Sequence, residues 1–214
     1  MTFYPIDYKN WPRRAYFEHY FSAAPCTYSI TANLDITLLL ERVKTYHLRL
    51  YPVLIYGISK AVNERREFTM SVDEHGVLGW FDTVNPSYTV FHKDNESFSS
   101  IWTEYHADFH TFYNHCIEDM TTYGSVHLPD AKPACGNQFT ISCIPWTTFT
   151  GFHLNIQNAY DYLPPIFTIG KYFSESEKML LPIALQVHHA VCDGFHSTRL
   201  LNSLQKWADA FENK

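Results

Sequence analysis

Positive charge is scarce in this chain. Lysine and arginine number 16 against 22 aspartates and glutamates, a net charge of −6 over 214 residues. No basic cluster of the size that nucleic acid requires is present, so a nucleic-acid partner is not expected. No apolar run approaches the length of a membrane span, and Met1 to Arg14 is polar and aromatic without a signal-peptide core. Cysteine is limited to five residues, an odd number without Cys-x-x-Cys spacing. That pattern implies free thiols in a reducing compartment, the cytoplasm. Also missing are a glycine-rich phosphate loop, internal repeats, low-complexity tracts and any linker, so the chain is read as one domain over 1–214.

Aromatic residues are abundant instead, at 17% with 15 Tyr and 16 Phe, more than a core alone requires and in keeping with a pocket or interface lined by rings. Alternation predicts a strand over Thr27 to Leu34. Asp35 then caps a helix carrying Ile36, Leu39, Leu40, Val43 and Leu50, and Pro52 starts a second apolar helix through Val62. Strands are expected at Phe68–Val72, Val77–Phe81 and Tyr88–Phe91. Trp102, Tyr105, Phe109, Phe112, Cys116 and Met120 recur every three or four residues, which reads as one helix from Phe98 to Tyr123. Further strands are expected at Phe139–Ile144, Phe149–Ile156 and Ile166–Tyr172, with a turn region between Asn155 and Pro165.

The densest run of reactive side chains is Gln186-Val187-His188-His189-Ala190-Val191-Cys192-Asp193-Gly194-Phe195-His196. Leu180 to Val191 reads as a strand. Leu200, Leu204, Trp207 and Phe211 form one face of a helix, and Asp193-Gly194 is turn chemistry between them. Two histidines thus stand at a strand end, a rigid mount beside a turn that leaves room for a ligand. An imidazole there can take a proton near pH 7, provided that its other nitrogen is held. Packed histidines beside a turn aspartate are the plainer reading. A metal site is disfavoured because His188 and His189 point to opposite faces of a strand and cannot easily share one ion. His106 and His110 lack the glutamate between them that would complete a zinc-protease motif.

Two other stretches bear on that corner. Asn10-Trp11-Pro12-Arg13-Arg14 contains two arginines, by default solvated, either of which suits a buried Asp193 as a partner. Spacing does not choose between them. Phe139-Thr140-Ile141-Ser142-Cys143-Ile144-Pro145-Trp146 places Ser142 on a strand. No Gly-x-Ser-x-Gly elbow surrounds it, so it is not read as a nucleophile; a hydroxyl there is either an ordinary polar position or a donor to an oxyanion.

The pattern His-His-x-x-x-Asp-Gly resembles the signature of the coenzyme A-dependent acyltransferase superfamily. The longer run, with Asn-Trp-x-Arg-Arg and Ile-Ser-x-x-Pro-Trp in the same order, resembles the chloramphenicol acetyltransferases from Asn10 to about Trp207. The resemblance implies an α/β fold, a two-layer sandwich of helices on a largely mixed sheet, and a homotrimer with active sites between subunits. It implies acetyl-CoA as co-substrate, no permanently bound cofactor, and chloramphenicol as acceptor. His189 is then the general base, Ser142 the oxyanion donor, and Arg13 the partner of Asp193; His188 and Cys192 are structural. The same resemblance puts Phe152 and Leu154 in the acceptor pocket and Thr168, Trp146 and Tyr172 near the coenzyme; Tyr20, Phe98 and Thr168 are further candidates for contact with the acceptor, and Lys171 for contact with the coenzyme. Thr140 departs from the family, which often carries Asn there. The alternatives are a dihydrolipoyl thiol as acceptor, against which stands the lack of any lipoyl domain or linker, and an inactive ligand-binding homologue.

Overall fold

In chain order the first half runs β1 (Phe3–Pro5), α1 (Arg14–Glu18), a π-helical turn (His19–Ala23), β2 (Thr27–Asp35), α2 (Thr37–Thr45) and α3 (Leu50–Asn63). A 3₁₀ turn (Arg66–Phe68), β3 (Met70–Val72), β4 (Leu78–Phe81), β5 (Asn85–His92) and β6 (Ser97–Trp102) follow. The second half comprises α4 (Phe109–Tyr123), β7 (Gln138–Cys143), β8 (Ile166–Ile169), β9 (Phe173–Glu175), β10 (Lys178–His188) and α5 (Gly194–Ala210). The structure is a computed structural model, and it describes residues 1–155 and 161–213.

β10 is the spine. It pairs antiparallel with β2 over its whole apolar length, from Leu180↔Asp35 to His188↔Thr27. Its other edge pairs antiparallel with β8 and β9. β8, β7 and β5 are parallel, and β6 closes the sheet antiparallel to β5, giving a mixed seven-stranded sheet in the order β2-β10-β8-β7-β5-β6 with β9 on β10. The main helices form the second layer, with α3 packed against both α4 and α5. Ile183, Leu185 and Val187 of β10 join Phe139, Ile141 and Phe167 in the core beneath them. This is the mixed α/β sandwich expected. A small separate sheet, β1-β4-β3, was not foreseen.

Several boundaries differ from expectation. Phe98 to Trp102 is strand rather than helix: Ser97-Phe-Ser-Ser-Ile-Trp alternates and pairs residue for residue with β5, burying Ser99 and Ile101. The helix starts only at Phe109, where the Asp108 carboxylate accepts from Thr111 N–H at 2.8 Å. Cross-strand pairing outweighed a helical aromatic period that continued back to Trp102 by chance. α2 stops at Thr45, and Leu50 opens α3 instead, because His47 takes a left-handed φ of 55°. Phe68 lies in a 3₁₀ turn, and the strand expected to Tyr172 breaks at Gly170.

No strand forms over 149–155; Ile156 and Tyr160 lie outside the described residues. In place of a ladder, the Gln186 amide serves this segment: Oε1 accepts from Leu154 N–H at 2.7 Å, and Nε2 donates to the Leu154 carbonyl at 2.9 Å. A glutamine in a central strand thereby covers the sheet face away from the helices.

The position of α5 depends on one close approach. Gly57 of α3 sits beneath the Trp207 ring, where an added Cβ would overlap the ring carbons. Gly57→Ala should therefore destabilise the protein by about 1–3 kcal/mol through overpacking, despite alanine's gain of about 1 kcal/mol in helix propensity. Thermal unfolding checks this, and an unchanged or raised Tm would show that Trp207 yields freely.

Candidate active site

At the end of β10 the chain turns through 189–192 into α5, and this corner is fixed from three directions. The His189 N–H donates to the Cys26 carbonyl at 3.0 Å, extending the β2 ladder by one step. Asp193 caps α5, its side chain accepting from Phe195 N–H at 3.1 Å. Arg13, just before α1, clamps the turn. Its Nη1 donates to Asp193 Oδ2 at 2.9 Å, and Nε and Nη2 donate to the carbonyls of Ala190 and His189, each at 3.2 Å. The structure thus chooses Arg13; Arg14 pairs with Glu18 instead. Asp193 remains 37% exposed in this chain, so the pair is half-buried rather than sealed from water.

Within this frame the His189 ring is oriented. Its Nδ1 lies 3.1 Å from the Cys192 carbonyl, which can only accept, so Nδ1 carries the hydrogen and the lone pair of the neutral ring resides on Nε2. Tyr20 stacks on the ring at 3.9 Å, and Tyr28 meets it edge-on at 5.3 Å while bonding Ser197 through its hydroxyl. His188 is buried, and its Nδ1 accepts from Ala190 N–H. Burial pushes the Cys192 thiol up to about 12, which keeps it protonated and inert near neutral pH. Among the described residues no group of three or more His, Cys, Asp or Glu side chains is arranged to hold a metal ion.

The other predicted residues gather elsewhere. Ser142 opens into a cleft of about 620 Å³ that also contains Phe98 and Trp146, with Arg49, Tyr51 and Phe91. Trp146 is 59% exposed and packs edge-on against Phe91. Lys171 N–H donates to the Thr147 carbonyl, so Trp146, Lys171 and Tyr172 share the C-terminal ends of β7 and β8. Thr168 pairs with Ser142 in the sheet and is buried. Phe152 lines a second cleft, of about 570 Å³, with Ser29, Thr31 and His153, and Leu154 is held by Gln186. The Thr140 hydroxyl meets that of Tyr162 at 3.2 Å.

The sheet register measures the separation between the two halves. Ser142 pairs with Thr168, Thr168 with Ala184, and His189 lies five residues beyond Ala184. At roughly 3.3 Å per residue and 4.8 Å per strand, the two backbones are about 19 Å apart. Alternation also directs Ser142 to the Ala184 face and His189 to the Val187 face. One chain therefore does not bring His189 and Ser142 together. Motif reading missed the carbonyls of Cys26 and Cys192 and the Tyr28 hydroxyl. Backbone carbonyls carry no residue signal, and Tyr28 looked like any inward strand position.

Solved structures of similar fold include a chloramphenicol acetyltransferase, with a TM-score of 0.86 at 23% identity over 96% of this chain and 99% of that one. Another is the dihydrolipoamide acetyltransferase of Azotobacter vinelandii, with a TM-score of 0.67 at 18% identity over 92% and 86%. Both are acetyltransferases, and the likeness defines the fold class. The chloramphenicol acetyltransferase family model matches residues 1–205. A chloramphenicol acetyltransferase of Clostridium perfringens is 53% identical over 215 residues, spanning 99% of this chain and 97% of its own. The chain belongs to the chloramphenicol acetyltransferase family and is by that membership an acyltransferase.

The corner predicts a pH signature. Burial alone would raise the Asp193 carboxyl, but Arg13 and His196 outweigh it and hold the group below its ordinary 3.8. A carboxyl lowered on folding contributes stability that is complete above the unfolded value and is lost as pH falls through the folded one. The Tm advantage of the wild type over Asp193→Asn should therefore hold from neutrality to about pH 4 and shrink below it. A difference independent of pH would show that the charge of Asp193 contributes nothing.

Proposed function

We propose that this protein transfers the acetyl group of acetyl-CoA to the primary hydroxyl of chloramphenicol, as a single catalytic domain over the chain. The observation that carries this reading is the His189 ring, with Nδ1 committed to the Cys192 carbonyl and the lone pair left on Nε2. A ring so held can take the hydroxyl proton directly. The oxygen attacks the thioester carbonyl, Ser142 donates to the resulting oxyanion, the carbon–sulfur bond breaks, and His189 returns the proton to the coenzyme A thiolate. Asp193 and Arg13 hold the turn and carry no proton. Tyr20, stacked on the imidazole, walls the acceptor with Phe98, Phe152, Leu154 and Thr168. Trp146, Tyr172 and Lys171, at one end of the sheet, receive the coenzyme. No helix of the described residues is long and apolar enough to cross a membrane. All five cysteines are free, which suits a reducing cytoplasm.

The register supports a shared site. A His189 some 19 Å from its own Ser142 needs the serine of a second copy. A cyclic trimer, the family's assembly by resemblance, supplies three such interfaces.

Thiol release from acetyl-CoA is the direct test. It should proceed with chloramphenicol and fail with dihydrolipoamide; the reverse would favour the lipoyl reading, and silence with both an inactive homologue. His189→Ala should lower kcat by roughly 10²–10⁴, and Ser142→Ala by about 10–10³ with little change in either KM. More than about a tenth of wild-type kcat in His189→Ala would remove it as the base.

Sharing is tested by mixing those two variants. Refolded together in equal amounts, they should assemble intact His189 against intact Ser142 at about a quarter of interfaces. Activity should then rise well above either parent. A mixture no more active than their average, with mixed assemblies confirmed by mass, would place both residues of a site in one chain.

A further inference from the structure

Beyond Arg13, the cap of α5 leads into a longer polar chain that the reaction as described does not use. His196, at the third position of α5, turns its ring back on Asp193. Its Nδ1 lies 2.8 Å from Asp193 Oδ1 and 3.2 Å from the Asp193 backbone nitrogen. It binds Asp193 in either form, donating to the carboxylate or accepting from the amide. The opposite nitrogen, Nε2, is 3.4 Å from Glu67 Oε1 in the 3₁₀ turn, and Glu67 is itself held by Arg199 Nη2 at 2.7 Å. Arg13, Asp193, His196, Glu67 and Arg199 thus form one continuous series joining the N-terminal segment, the 3₁₀ turn and α5.

We infer that His196, braced by Glu67, is a positioning residue that sets the orientation of His189. The inference rests on the reading of His189 as the base. Its physical basis is proximity along the backbone: the carbonyl that holds His189 Nδ1 belongs to Cys192, whose peptide unit ends at the Asp193 nitrogen. Whatever rotates Asp193 rotates that carbonyl. Arg13 fixes Asp193 from one side through Oδ2, whereas His196 fixes it from the other through Oδ1 when Nδ1 carries the hydrogen and through the amide when it does not. The route is indirect. His196 and Glu67 line a cavity of about 510 Å³ with Trp11, Arg13 and Trp80, and His189 does not border it. A change at His196 therefore reaches His189 through the turn and not through the substrate pocket.

The experiment compares steady-state kinetics of His196→Ala, His196→Asn and Glu67→Gln with the wild type and with His189→Ala, per folded chain. His196→Ala should lower kcat about 10–100-fold and leave both KM values within about twofold, as expected of a misdirected base with intact substrate pockets. Asparagine keeps a polar atom near the Nδ1 position and should recover most of the loss. Glu67→Gln should show a smaller kcat loss with the same KM pattern, and adding it to His196→Ala should cost nothing more, because its effect passes through the ring. If His196→Ala does not fold, Glu67→Gln decides alone: a kcat loss with unchanged KM supports the inference, and wild-type kcat overturns it. An unchanged kcat in folded His196→Ala, a rise in KM as the main effect, or no recovery with asparagine also overturns it. When His189→Ala is inactive, such a result leaves the reading of the base standing; an active His189→Ala removes both.

Discussion

Arg13 donates to three acceptors on one turn, and the candidate site depends on that clamp. Two of the acceptors are the carbonyls of His189 and Ala190, which leave the β10 ladder where the strand ends. Half-buried carbonyls without a ladder partner cost free energy, and a guanidinium is the side chain able to satisfy two of them and a carboxylate in one plane. The third acceptor, Asp193, is also the cap of α5. One residue thereby fixes the exit of the strand and the start of the helix, and the imidazole between them inherits its direction from both.

The sheet imposes a second constraint. Its order places the histidine corner beyond one end of β8, and the Ser142 cleft toward the other. Twisting or sliding strands would not close such a gap, because register is held by paired hydrogen bonds and by a face buried under helices. A site that needs both residues is therefore a matter of assembly. The exposed rings of Trp146, Phe98 and Tyr172 fit that view, since apolar rings grouped at one end of a sheet suit a ligand or a second chain.

Much of this was legible in the chain itself. β2, β7, β10, α3 and α5 follow from alternation and helical period, since their buried faces are continuous. Where legibility failed, two patterns competed over the same residues. Phe98 to Trp102 satisfies both periods, and pairing with β5 decided it. The stretch 149–155 looked like a strand because its composition suits one, but strand propensity forms a strand only where a partner edge exists, and Gln186 supplied side-chain bonds instead.

Residue types and their order were sufficient to identify a histidine held at a strand-to-helix corner, a serine on a strand, an arginine pair near the start, and the family these resemble. Those are properties of local sequence, and local periodicity expresses them directly. The tertiary structure decided which arginine reaches Asp193, which carbonyl holds the imidazole, that His196 and Glu67 extend the cap, and that His189 and Ser142 lie apart. The Cys192 carbonyl lies three positions from His189 and reaches it through the turn; the others depend on contacts between segments remote in the chain, Arg13 and Asp193 being 180 positions apart. Such contacts are set by strand register and helix packing, which no short window of sequence contains.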